Sequence, residues 1–389
     1  MSLFSFKIVG KDLKTKARAG VIKTPHGIIK TPAFSPVATR ASVRTLSPED
    51  LKDARTQVVL ANTYHLYLKP GLEVIEKFGG FANFMKWEGP TITDSGGYQV
   101  SFLWSKGEED EARVVKIDDK GALFKSYLDG SLHLLTPEKS IEIQKILGAD
   151  IIMALDEPQS LNMPKKLAKE AFLRTLKWEE RSFLAWQKLN KKGEFQALYG
   201  IVQGDLNKKL RRQSLDFVLS LGFPGIAIGG EAIGSDPKIT SEALNTISDI
   251  LPDEKPVHAL GLGGGPEGIF EAIARGIDTF DNTGITRMAR TGLLFIHPED
   301  GGKRSNKFRL DIKKSAFKSD EKPLSKVCNC YSCLNFSRAY ICHLLTSGEI
   351  LGLRLATIHN VFFINNLMNQ IRDSIINGDF VDLKKKWLG

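Results

Sequence analysis

The stretch Ile277-Asp278-Thr279-Phe280-Asp281 reads as a short β-run that ends on a carboxylate, and Thr286-Arg287-Met288-Ala289-Arg290-Thr291-Gly292 follows within ten residues. Gly284 and Gly292 bound a loop that carries Arg287 and Arg290. Two guanidiniums beside an acid suit work on a phosphate-bearing substrate, because their planar forks match phosphate oxygens. A strand-end Asp capping a turn, with two solvated arginines, accounts for the same residues. The rest of the chain decides between the two readings.

Six earlier segments repeat the pattern. Strand-like apolar runs stand at 57–61, 90–93, 149–155, 197–202, 225–228 and 257–260, with helix-period segments between most of them. The clearest helix is 164–189, where Leu167, Phe172, Leu176, Phe183 and Trp186 fall roughly on one side. Short buried strands alternating with helices imply a parallel sheet. About seven or eight such units favour a closed (β/α)8 TIM barrel of the α/β class over an open sheet. Residues 1–35 read as short strands (4–9, 19–24, 26–29), a small antiparallel piece packed on the main body.

The residues directly after the runs are Asn62-Thr63-Tyr64-His65, Asp94-Ser95-Gly96-Gly97-Tyr98-Gln99, Asp156-Glu157, Gln203-Gly204, Gly229-Gly230-Glu231, Gly261-Leu262-Gly263-Gly264-Gly265 and Asp281. In a parallel barrel they collect on the C-terminal rim, where barrel enzymes place their chemistry. Each has a bland explanation as a turn former or an exposed polar residue. Together they read as a site.

Lys and Arg number 54 against 45 Asp and Glu, a net charge of +9 that favours a polyanionic partner over an acidic one. The N-terminal twenty residues are interrupted by lysines and lack a secretory apolar core. No run approaches the roughly 18 apolar residues of a membrane span, so a soluble cytoplasmic protein is expected. All four cysteines lie between 328 and 342, which points to metal rather than disulfides.

The C-terminal part changes character. A basic, turn-rich stretch at 303–326 leads into Cys328-Asn329-Cys330-Tyr331-Ser332-Cys333, then helical segments at 334–346 and 348–376 and a tail with Lys384-Lys385-Lys386. Three thiolates at this spacing suit a tetrahedral Zn²⁺, and a fourth ligand is available in Cys342, His343 or His359. A closed four-ligand shell leaves no position for water, so the metal is structural and a zinc hydrolase is disfavoured. The expected layout is a barrel with its N-terminal strands over 1–310, a zinc-binding subdomain over 311–363, and a C-terminal helix and basic tail over 364–389 closing on the barrel.

At this point the motifs resemble the tRNA-guanine transglycosylase family, bacterial type. The resemblance rests on Asn62-Thr63-Tyr64-His65-Leu66 with Lys69-Pro70-Gly71, Asp94-Ser95-Gly96-Gly97-Tyr98-Gln99, Gly200-Ile201-Val202-Gln203-Gly204 and Ala227-Ile228-Gly229-Gly230. It continues in Phe280-Asp281 with Thr286-Arg287, Ala289-Arg290 and Gly292, and in the three cysteines with His359. It covers about 18–363 and implies a (β/α)8 barrel with a zinc subdomain. The implied reaction exchanges guanine at the wobble position of certain tRNAs for a 7-deazaguanine. By resemblance Asp281 is the nucleophile and Asp94 the general acid/base. Asp156, Gln203 and Gly230 hold the purine edge, Tyr98 and Leu260 sandwich its faces, and Arg287 and Arg290 touch the anticodon loop. The family's fourth zinc ligand falls on His359. Its homodimer contact falls on the helix after the cysteines, where Phe336, Tyr340 and His343 share one face by spacing.

The residue types suit that reaction. Breaking and remaking a glycosidic bond with the same configuration calls for two displacements, with one carboxylate to bond C1′ and another to move protons. The base must leave its stack, so an aromatic platform is expected. A carboxylate at Asp156 accepts from the purine N1 and N2, while Gln203 and the backbone at Gly229-Gly230 donate to O6.

The chain departs from the family pattern around the 7-substituent. Pro158 stands where the family usually has Cys, Asn282-Thr283-Gly284-Ile285 replace a Cys-Val-x-Pro run, and Glu231-Ala232-Ile233-Gly234-Ser235 follow Gly230. Bulky Ile233 disfavours a cyclopentenediol and Glu231 suits a cationic aminomethyl, so preQ1 is the expected incoming base. The rivals are queuine or a DNA substrate, and a silent tRNA-binding subunit. Retention of Asp281 argues against the last.

Overall fold

Every strand of the central sheet is short and almost wholly buried, and most are apolar runs, the pattern a parallel sheet covered on both faces demands. The computed structural model describes residues 3–102, 113–190, 196–234 and 236–389. Strands β1 (Ser5–Lys11), β2 (Arg18–Thr24) and β3 (Gly27–Thr31) form an antiparallel sheet. Next come β4 (Ala33–Ser35), β5 (Val37–Ala38), β6 (Val59–Ala61) and β7 (Thr91–Thr93). β8 (Arg113–Asp118), β9 (Gly121–Lys125) and β10 (Leu132–Leu135) make a separate antiparallel meander. β11 (Ile151–Met153), β12 (Ala197–Val202), β13 (Gly225–Ile228), β14 (Val257–Ala259) and β15 (Thr279–Asp281) follow, then the hairpin of β16 (Leu293–Phe295) and β17 (Arg309–Asp311).

The main sheet runs β4-β15-β14-β13-β12-β11-β7-β6-β5, with parallel pairing throughout. β4 and β5 are halves of one strand interrupted at Pro36, so the sheet closes on itself as the expected barrel. Proline has no N–H to donate, yet its carbonyl still accepts from Leu60 N at 3.1 Å. All seven strands read from sequence are staves of this ring, most trimmed by a residue or two. The eighth stave, 33–38, was hidden by its flanking prolines, and the β8–β10 meander was not anticipated.

Alternate residues of the staves (Leu60, Ile92, Ile151, Met153, Tyr199, Ile201, Ala227) cluster with Phe4, Ile22 and Ile29 of the N-terminal sheet. That sheet therefore plugs the end of the barrel opposite the functional rim. Arg18 ties it down, donating from Nε to Asp278 Oδ1 at 3.0 Å and from Nη2 to Oδ2 at 2.6 Å in a fully buried pair.

The helix Ile350–Asn377 packs across β1, β2, β4 and the helix Gly284–Thr291. Two expectations need correction here. The stretch after Asp281 is no loop: residues Gly284–Thr291 form a helix, its apolar Ile285 and Ala289 buried. Phe336 lies off the helix that follows it, because the chain is extended there (φ −135°, ψ 143°) before Arg338–Thr346 begins. The tail folds as a helix, Phe380–Leu388, whose Phe380, Trp387 and Leu388 are buried. No helix among the described residues is long and apolar enough to cross a membrane.

Candidate active site and metal centre

Parallel pairing sets Asp94, Asp156, Gln203 and Asp281 at or just past the C-terminal ends of β7, β11, β12 and β15, around one rim. Asp94 is held by three donors: Asn62 Nδ2 at 2.5 Å, Thr63 N at 2.9 Å and Gly96 N at 3.2 Å. Asn62 is itself fixed as a helix cap, accepting from His65 N at 2.9 Å. Burial pushes the Asp94 carboxyl up to about 7 against these donors, and the charge of Asp281 adds to the rise.

Asp156 lies deeper, 3% exposed. Its Oδ2 accepts from Gln203 Nε2 at 2.7 Å and its Oδ1 from Ser95 Oγ at 3.1 Å. Burial raises it to about 6, with these two bonds opposing. Among the described residues, the buried Oε1 of Gln203 has no hydrogen-bond partner. Gly230, at φ +98°, adopts a backbone that side-chain-bearing residues avoid, and a Cβ there would stand 3.1 Å from that Oε1. At Gly97 a Cβ would stand 2.3 Å from the Asp156 carbonyl, so only glycine lets the Tyr98 helix approach this floor. Tyr98 is 47% exposed and Leu260 partly buried at the end of β14.

Asp281 Oδ1 accepts from Gly261 N at 2.9 Å and faces His258 Nε2 at 3.2 Å. Asn282 closes the loop behind it, bonding Leu262 O and Gly284 N. Arg287 is exposed and Arg290 partly buried on the helix Gly284–Thr291. Burial lowers the Arg290 pKa, and the charges of Arg44 and Arg287 lower it further. A cationic trio thus flanks the rim. Arg44 was not anticipated, and neither was Arg211. Arg211 is fully buried, with burial lowering it to about 10, and its guanidinium donates to the carbonyls of Asp205, Val202 and Gly229. Its position on a helix reads as surface, and only the packing of that helix on β12 shows otherwise.

Around the expected 7-substituent pocket, Glu231 Oε2 accepts from Ser160 Oγ at 2.8 Å and Leu161 N at 3.0 Å. The carboxylate therefore braces the loop after β11. Ile233 is wholly buried in the main core. Pro158 is buried beside Glu157, which pairs with Arg174. Ser235 lies outside the described residues.

Cys328, Cys330, Cys333 and His359 converge, their ligand atoms all within 4.8 Å of one another. His359 Nδ1 stands 3.8, 3.6 and 3.3 Å from the three sulfurs, and Nε2 donates to Phe295 O at 2.8 Å. A tetrahedral ion with bonds of about 2.3 Å to sulfur and about 2.0 Å to nitrogen has S···N edges of about 3.5 Å, so the cluster fits a metal. Hydrogen bonds from Cys328 and Cys333 hold the Cys330 thiol below the usual thiol range, while the same shared bonds and burial push the Cys328 thiol up. Cys342 is buried elsewhere and is not among these four.

The model of a family described as queuine tRNA-ribosyltransferase matches residues 12–389. The chain belongs to this family of tRNA-guanine transglycosylases. It is 42% identical over 383 residues to the queuine tRNA-ribosyltransferase of Desulforudis audaxviator (strain MP104C), covering 98% of this chain and 97% of that one. It is 40% identical to the proteins of that name from Thermoanaerobacter sp. (strain X514), over 100% of this chain and 97% of that one, and from Roseiflexus sp. (strain RS-1), over 99% of both. Family membership thus rests on nearly the whole chain, the Cys3His cluster and the rim included.

Proposed function

We propose that the enzyme exchanges guanine at the wobble position (34) of tRNA for the 7-deazaguanine preQ1, through a covalent bond between Asp281 and the ribose. One observation carries the reading: two rim carboxylates stand in unlike settings, Asp94 lifted to about 7 beside the charge of Asp281. An acid held near neutrality can both give and take a proton, the role an exchange requires. Asp281 attacks C1′ and Asp94 protonates the departing guanine. In the return half Asp94 takes a proton from the incoming base. Asp156 accepts from the purine N1 and N2, and Gln203 and Gly230 face O6. Tyr98 and Leu260 cover the ring faces, and Arg287 and Arg290 meet anticodon phosphates.

The Cys3His cluster fits structural zinc, which when bound supplies cross-linking of the subdomain and no open position for catalysis. Tyr331, Leu334, Tyr340 and Ile350 are exposed apolar residues around it. Phe336 and Tyr340 stack at 5.5 Å, with His343 exposed nearby. Such a patch supports a homodimer through this face. Thiols kept as metal ligands agree with a cytoplasmic setting.

The test is a denaturing gel of enzyme with labelled tRNA and no incoming base. Wild type should form a protein–RNA adduct, and Asp281→Asn should bind tRNA without forming one. An adduct persisting in Asp281→Asn would move the nucleophile elsewhere.

A further inference from the structure

Behind Asp281 sits a buried histidine that the mechanism above leaves unused. His258 is the middle residue of β14 and is 0% exposed. The β14–β15 register sets it opposite Thr279, and Asp281, two residues on, projects to the same face. One imidazole therefore reaches both: Nδ1 lies 2.9 Å from Thr279 Oγ1 and Nε2 3.2 Å from Asp281 Oδ1. Gly261 N donates to that same Oδ1 at 2.9 Å. Among the described residues no hydrogen bond falls on Asp281 Oδ2.

The tautomer follows from the partners. When the Thr279 hydroxyl donates to Nδ1, the neutral ring carries its proton on Nε2, aimed at the carboxylate. The other tautomer would turn a lone pair on Nε2 toward Oδ1 and repel it.

We propose that His258 is a positioning residue for the covalent step: with Gly261 N–H it clamps Oδ1, leaves Oδ2 as the attacking oxygen, and takes its tautomer from Thr279. This rests on Asp281 being the nucleophile. An Oδ2 lone pair forms the bond to C1′ as C1′–N9 breaks, and the departing pair stays on the purine, which takes a proton from Asp94. In the return half the incoming base gives its N9 proton to Asp94, N9 bonds C1′, and Oδ2 is released with its pair. His258 transfers no proton in either half. An N–H donated to the non-attacking oxygen orients the carboxylate for attack.

The experiment compares single-turnover adduct formation, tRNA affinity and melting temperature for wild type, Asp281→Asn, His258→Leu, His258→Gln and Thr279→Val. Losing a hydrogen bond to a charged group corresponds to roughly 10- to 100-fold in rate. His258→Leu should therefore slow the adduct by about that factor at unchanged tRNA affinity. His258→Gln, which keeps an N–H donor, should recover most of the rate. Thr279→Val should slow the adduct several-fold at native melting temperature. Wild-type rates in His258→Leu, or equal losses in the Leu and Gln variants, overturn the proposal and leave His258 as core filling. If His258→Leu does not fold, Thr279→Val decides: a slowed adduct supports the clamp and a wild-type rate overturns it. Absence of an Asp281-dependent adduct in wild type overturns the nucleophile assignment instead, and the Asp281→Asn lane tells the two failures apart.

Discussion

The charge of Asp281 lifts the carboxyl of Asp94, second only to burial among the causes that carry it from 3.8 to about 7. The two residues end strands that are far apart in sequence and share one rim. An acid poised near neutrality can give its proton in one half of an exchange and take one back in the other.

Removing that charge should shift the balance. In Asp281→Asn the Asp94 pKa should fall, while three backbone and amide donors still hold its anion. Carboxyl-labelled NMR, assigned with Asp94→Asn, measures it. The stability sign is set by the same shift: the folded value exceeds the unfolded one, so the protonated form favours the fold. That contribution is complete below the ordinary carboxylate range and is lost as pH rises through about 7. An unchanged Asp94 in Asp281→Asn would disprove the coupling.

Base affinity should depend on Asp156. With its carboxyl at about 6, it is an anion at neutral pH and an acceptor for purine N–H groups. Guanine affinity should fall as pH drops from 7 to 5, and Asp156→Asn should be weak at both. Calorimetric titration of the free base checks this, and a pH-independent affinity refutes it.

Gly97→Ala tests the floor. A Cβ would sit 2.3 Å from the Asp156 carbonyl. Overpacking of this kind costs about 1–3 kcal/mol, so denaturant melts should show that loss together with weakened base binding. A fully active, fully stable Gly97→Ala would mean the helix gives way freely.

Salt dependence should locate the RNA surface. Arg287→Ala should weaken tRNA binding and flatten the log-affinity slope against log salt by about one. Lys384→Ala should change neither, because Lys384 is paired with Glu271 at 2.9 Å. Filter binding at several salt concentrations separates the two, and equal effects would place the RNA elsewhere.

Metal content should follow His359 and not Cys342. His359→Ala removes a ligand and the bond to Phe295 O, so zinc measured by plasma spectrometry should fall and the subdomain should lose protection from protease. Cys342→Ala should retain the ion. Zinc lost only from the Cys342 variant would reverse the ligand assignment.

Local sequence determined seven of the eight barrel staves, their rim residues and three members of the Cys3His cluster. Period and composition over 197–202 or 225–228 suffice to read a buried strand, and a strand's end fixes where its next residue points. The Cys328–Cys333 spacing is likewise a property of a few adjacent residues. Tertiary structure alone decided what depends on pairing between distant segments. The stave split at Pro36 is invisible until β15 and β6 take its two halves. Choosing His359 over Cys342 or His343 required the long helix to cross behind the cysteines, although the family resemblance pointed the same way. Arg211 reads as a surface cation until its helix packs on β12. His258 is an ordinary strand residue until register sets it beside Thr279 and within reach of Asp281. Short-range patterns are written in side-chain periodicity, whereas a hydrogen bond between residues twenty or sixty positions apart exists only once the sheet has closed.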